Sequence, residues 1–175
     1  MTQTSPPPRS IKGPASLSAA LAAALIASFA LYEDTAVVPY RDPIGILTVC
    51  GGVTGPDVIE GKTYTQADCT RIRTLFFERF NAGVTACIRV PIAAHEHFAF
   101  LHFTWNVGIR AFCQSTLVAK LNRQDYAGAC AQLSRWVYVR GRDCRIKANN
   151  CRGIVFRRTF ERAACEGKLS IPGLT

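Results

Sequence analysis

The stretch Tyr40-Arg41-Asp42-Pro43-Ile44-Gly45-Ile46-Leu47-Thr48-Val49-Cys50-Gly51-Gly52-Val53-Thr54-Gly55 sets short β-branched and aliphatic runs between turn formers, and it predicts a small β-hairpin. Just before it stands Glu33, so an acid, a second acid and a hydroxyl follow one another as Glu33, Asp42 and Thr48 around one turn-rich segment.

Those residue types match the needs of glycosidic bond cleavage. Such a reaction uses one carboxyl held protonated for the leaving oxygen, and a second held ionised to direct water or to stabilise charge on the sugar. Glu33 ends an apolar run, where desolvation raises a carboxyl pKa, whereas Asp42 sits in a polar turn and Thr48 offers a hydroxyl that can hold a water. Two acids and a threonine at some such spacing also arise by chance, so the spacing alone leaves the catalytic reading open.

The 175 residues suit one domain with a substantial core plus an N-terminal extension. A net charge of +9 points to an anionic partner, and from Arg135 onward ten Lys/Arg face only Asp143, Glu161 and Glu166, a surplus of seven. Nucleic acid, anionic lipid and the carboxylates of a cell-wall polymer all suit such a region, as does a plain solvated helical face. No aromatic ribonucleoprotein signature, paired Cys/His finger or basic zipper accompanies the charge, so nucleic acid is not the expected partner.

Eight cysteines, Cys50, Cys69, Cys87, Cys113, Cys130, Cys144, Cys151 and Cys165, point to disulfides made outside the cytoplasm. The chain lacks a CxxC, and His95, His97 and His102 lack the pairing of a His-Glu-x-x-His helix, so no metal is expected. The histidines are read as lining one partly buried helix or capping its polar side.

Residues 1–13 are polar and Pro-rich, with Arg9 and Lys12, and they precede an uncharged run from Pro14 to Tyr32. As a helix the run would span roughly 28 Å, near the hydrocarbon thickness, with an N-in, C-out orientation. Its eight alanines and three serines leave only Leu17, Leu21, Leu25, Ile26, Phe29 and Leu31 strongly apolar, which makes a weak anchor. Cleavage after Ser28-Phe29-Ala30 is the alternative; it would leave Glu33 on a frayed terminus, so an uncleaved signal-anchor over 14–32, ahead of a catalytic domain over 33–175, is expected.

After the hairpin the pattern turns helical. Thr65 caps a helix running towards Phe80, Pro91 opens a buried helix over 92–107 that Gly108 ends, and shorter helices follow over Ser115 to Leu121, Asp125 to Val137 and, past a loop from Gly141 to Asn150, Gly153 to Cys165. The expected class is α+β, mostly α: a small β lobe followed by a helical lobe.

At this point the residues resemble the phage-type lysozymes, glycoside hydrolase family 24, and among them the signal-anchor-release endolysins. Tyr40-Arg41-Asp42, Ile46-Leu47-Thr48, Gly52-Val53-Thr54-Gly55, Tyr64-Thr65, Trp105-Asn106-Val107-Gly108, Arg135-Trp136 and Arg157-Arg158-x-x-Glu161-Arg162 carry the likeness. The resemblance implies a lysozyme-like fold and hydrolysis of the β-1,4 bond between N-acetylmuramic acid and N-acetylglucosamine. Glu33 would be the general acid, Asp42 and Thr48 would hold the attacking water, and Asn106 would line the cleft, with no metal or organic cofactor. It implies as partners peptidoglycan and, transiently, the inner membrane, with release of a monomer to the periplasm.

The resemblance also implies the pairs Cys50–Cys69, Cys87–Cys113, Cys130–Cys165 and Cys144–Cys151. Two positions depart from the family pattern: Asp34 stands where Gly is usual, and Val53 where His is frequent. Lytic transglycosylation and a non-enzymatic, charge-driven wall or membrane binder are the competing functions.

Overall fold

The computed structural model describes residues 18–29, 36–42, 45–172 and 174. Glu33, Asp34 and positions 1–17 lie outside these, so the expected acid and the start of the expected anchor are not described. The chain forms two compact units, Ser16–Phe80 and one containing Asn81–Thr175.

In the first unit, helix α1 spans Ala19–Phe29 and buries Leu21, Ala24, Leu25 and Ser28, the i, i+3, i+4, i+7 stripe of a one-sided helix. Among the described residues no helix is long and apolar enough to cross a membrane.

The predicted hairpin is instead a three-stranded antiparallel sheet of β1 (Tyr40–Arg41), β2 (Leu47–Val49) and β3 (Val53–Thr54), in that order. The stretch holds two turns, so β2 is shared by two hairpins. At the first, the Gly45 N–H donates to the Asp42 carbonyl at 2.8 Å. At the second, Cys50, Gly51 and Gly52 all take positive φ (53°, 73° and 93°), which glycine tolerates at little cost and which bends the chain sharply enough to start β3. Val49, Cys50, Val53, Val58, Tyr64, Cys69 and Ile72 form the core of this unit, with Leu47 and Phe76 against it.

Helix α2 (Gln66–Thr85) runs beyond the expected end at Phe80. Thr65 and Asp68 start it reciprocally: the Thr65 hydroxyl accepts from the Asp68 N–H at 3.1 Å, and the Asp68 carboxylate accepts the Thr65 N–H at 3.1 Å.

The second unit packs α3 (Ala94–Val107) on α7 (Arg152–Cys165), and α5 (Thr116–Leu121) on α6 (Tyr126–Gln132). A short α4 (Ile109–Cys113) follows Gly108. The helix expected to reach Val137 ends at Gln132 in a 3-10 turn over Leu133–Arg135, and the expected loop from Gly141 holds a second antiparallel pair, β4 (Tyr138–Val139) with β5 (Arg142–Asp143). Phe98, Phe100, Phe103 and Phe112 are fully buried, with Phe103 edge-on to Trp136 at 5.2 Å.

Four disulfides staple these elements: Cys50–Cys69, Cys87–Cys113, Cys130–Cys165 and Cys144–Cys151, the pairs that the resemblance implies. Cross-links restrict the unfolded chain more when the loop they close is longer. Replacing Cys130 and Cys165 by Ala, a separation of 35, should therefore lower the unfolding free energy by about 4 kcal/mol. The same change at Cys144 and Cys151, a separation of 7, should cost about 2 kcal/mol. Urea denaturation of the two variants checks the order.

Candidate active site

Asp42 follows β1 directly, and its position is fixed by backbone. Its N–H donates to the Ile46 carbonyl at 3.0 Å, and its Oδ1 accepts the Ile46 N–H at 2.9 Å. The carboxylate is therefore clamped on the rim of the first turn. Beside it the exposed Arg41 donates to the Gly45 carbonyl and reaches both oxygens of Glu60, at 3.1 and 3.3 Å.

Thr48 lies in the middle of β2, opposite Tyr40 on one side and Thr54 on the other. Side chains alternate faces along a strand. Carrying the Tyr40↔Thr48 register one step past Arg41↔Leu47 sets Asp42 opposite Ile46 and on the face that holds Thr48, so the acid and the threonine are diagonal neighbours. Thr48 is buried, and its hydroxyl donates to the Ile46 carbonyl at 3.0 Å. With its proton so committed, the oxygen has lone pairs to offer as an acceptor.

The chain leading into this sheet is tied as well. The Cys50 N–H donates to the Ala36 carbonyl and the Tyr64 N–H to the Val37 carbonyl, each at 2.8 Å. The Tyr64 hydroxyl in turn accepts from the Ile59 N–H and donates to the Asp57 carbonyl. Glu33 lies three residues before Ala36, outside the described residues.

Asn106 sits in the last turn of α3, in the second unit, with its side chain at the surface. Its Oδ1 accepts from Arg158 Nη2 at 3.1 Å. Arg158 is itself buried: Nη2 donates to Glu161 Oε1 at 3.0 Å, Nε lies 2.9 Å from Oε2, and the guanidinium lies over the Phe103 ring. His102 Nδ1 meets the same Glu161 Oε1 at 2.7 Å.

The phage lysozyme family model matches residues 30–161. The chain belongs to the phage lysozyme family. It is 40% identical over 131 residues to the SAR-endolysin of Escherichia phage Mu, covering 75% of this chain and 72% of that one. It is 39% identical over 133 residues to the SAR-endolysin of bacteriophage PS119, covering 76% and 75%. Among solved structures, the endolysin from Escherichia coli O157:H7 phage FAHEc1 superposes with a TM-score of 0.71 at 25% identity, over 91% of this chain and 98% of that one. The phage lysozyme is thus a glycoside hydrolase with an endolysin's architecture, of a family that acts on peptidoglycan.

Two features of this phage lysozyme went unread in the sequence. The Arg158–Glu161 ion pair was visible as an i, i+3 spacing in the last helix, but its partner His102, met only across the fold, was not. The three histidines share α3, with His95 half-buried, but His97 and His102 are fully buried and each has a polar partner inside: Asn81 Oδ1 lies 2.6 Å from His97 Nε2.

Burial lowers the pKa of His97 to about 4, and burial also lowers His102, opposed by Glu161. Both rings are neutral when folded at neutral pH. Since the unfolded chain binds these protons near the ordinary value of 6.5 and the folded chain does not, stability is present above that pH and is lost as pH falls. Over the window from 6.5 down to about 4, His97 alone should give a slope of about 1.4 kcal/mol per pH unit. Denaturation midpoints measured across that range should flatten in a His97→Gln variant.

Proposed function

We propose that this phage lysozyme is a muramidase that hydrolyses the β-1,4 bond between N-acetylmuramic acid and N-acetylglucosamine, with Glu33, Asp42 and Thr48 as its catalytic residues. The observation that carries the assignment is the sheet register, which sets the clamped Asp42 one diagonal step from Thr48 on a shared face. Family membership supports the reaction.

Glu33 protonates the glycosidic oxygen as the bond to the anomeric carbon breaks. Asp42 takes a proton from the attacking water, and the Thr48 oxygen accepts that water's other hydrogen, since its own proton is spent on the Ile46 carbonyl. The two acceptors leave a lone pair of the water aimed at the sugar from the face opposite the leaving group, which gives inversion. Asn106 contacts the glycan from the end of α3.

The N-terminal run of 14–32 acts as a releasable anchor. Its described part, α1, buries one stripe, and a helix with so few strongly apolar residues exchanges a bilayer for such burial at small cost. In this reading the enzyme is tethered at the inner membrane and then released as a monomer to the periplasm, where the wall is cut and the host lyses; relatives named SAR-endolysin support an endolysin that acts in the periplasm.

A Glu33→Gln variant of the full chain tests the assignment. Clearing of a peptidoglycan suspension should fall by about 10²- to 10⁴-fold, with the thermal midpoint unchanged. A protein that lyses by charge alone would clear as well as the parent.

A further inference from the structure

Asn106 is an exposed amide held from beneath. It stands in the last turn of α3, two residues before Gly108, whose φ of 84° takes the chain out of the helix. Its Oδ1 accepts from Arg158 Nη2 at 3.1 Å, and its Nδ2 makes no hydrogen bond among the described residues.

A surface asparagine can normally turn over, offering a donor or an acceptor as its ligand requires. Asn106 cannot do so without losing its bond, because a guanidinium has donors only. Burial lowers Arg158 to about 10, opposed by Glu161, so the group stays protonated at neutral pH.

The guanidinium is itself immobile. Arg158 and Glu161 are both buried, the Nη2 that reaches Asn106 also donates to Glu161 Oε1 at 3.0 Å, and Nε lies 2.9 Å from Oε2. The guanidinium carbon lies 4.7 Å from the centre of the Phe103 ring, and His102 Nδ1 meets Glu161 Oε1 at 2.7 Å. The amide therefore needs little ordering when a ligand arrives.

A buried ion pair adds little stability over an apolar pair of the same volume; what it can supply is a choice between arrangements. The arrangement chosen here is the direction of the Asn106 amide.

A fixed donor discriminates among the acceptors of a sugar. Hydroxyl groups both donate and accept, so they pair with either end of an amide. The carbonyl oxygen of an acetamido group only accepts. N-acetylmuramic acid and N-acetylglucosamine each carry one such group.

We infer that Asn106 is a specificity-determining residue whose Nδ2 donates to an acetamido carbonyl of the glycan, and that Arg158, held by Glu161, is the positioning residue that keeps this donor outward. The inference rests on the hydrolase reading and on Asn106 touching the glycan; it adds which atom makes the contact and which group is recognised.

Soluble glycan strands from one peptidoglycan, used as prepared and after de-N-acetylation, test it with the full chain. The readout is kcat/KM from the reducing ends released. The parent should prefer the acetylated strands. Asn106→Ala should narrow that preference by about fivefold to tenfold, the worth of one neutral hydrogen bond, with the thermal midpoint unchanged. Arg158→Gln, whose amide can meet Asn106 with either end, should narrow it too, and Arg158→Lys, which keeps a donor-only cation, should restore part of it. An Arg158 with a merely structural role would lower cleavage of both strands alike and leave the preference where it was.

The proposal is overturned if the parent shows no preference, if Asn106→Ala keeps the parent's preference, or if folded Arg158→Gln lowers both rates alike. Asn106 lies at the surface, so its variant decides the contact even where a change at buried Arg158 does not fold. Failure of the hydrolase reading would show separately, as no reducing ends released by the parent from either preparation.

Discussion

Cys50 is the point on which the small β lobe depends. Its sulfur is joined to Cys69 in α2, its N–H donates to the Ala36 carbonyl, and its carbonyl accepts from Arg73. One residue thus ties the chain entering the sheet, the turn between β2 and β3, and the helix behind it. A sheet with strands of two or three residues has too few ladder bonds to stand alone. The cross-link and the apolar cluster around it supply what the ladder lacks, and the register they hold sets Asp42 and Thr48 on one face.

A different constraint organises the helical unit. Glu161, Arg158 and His102 meet in its interior, where an unpaired charge would be expensive. The ion pair carries the charges while burial keeps the imidazole neutral. Because arginine has only donors to offer, the atom of Asn106 that faces Arg158 must be its oxygen, so the amide nitrogen is the group left to other partners. A surface residue expected to touch glycan is in this way oriented from the core.

Much of this was legible in the sequence because it depends on local chemistry. The Asp-Pro and Gly-Gly signals marked the turns around β2, Thr65 and Asp68 marked the start of α2, and Gly108 marked the end of α3. What the sequence hid depends on distance or on competition. Two turn signals within one stretch were read as a single hairpin, although each closes its own. The stretch from Gly141 to Asn150 was read as loop and the hairpin turn at Arg140-Gly141 was missed, because arginine is an unusual occupant of a left-handed position. His102 could be placed on a helix but not beside Glu161, which lies 59 residues away. Glu33 stood out by its place at the end of the apolar run, Asn106 entered through family likeness, and the register of the sheet is the physical argument that joins Asp42 to Thr48.

The central claim is that water, directed by Asp42 and Thr48, completes the cleavage that Glu33 begins. Mass spectrometry of the fragments released from purified peptidoglycan tests it most directly. Hydrolysis predicts muramic acid ends that have gained water and can be reduced by borohydride. Fragments ending in 1,6-anhydro-muramic acid would contradict it, because they form by internal attack within the sugar, with no water to be held.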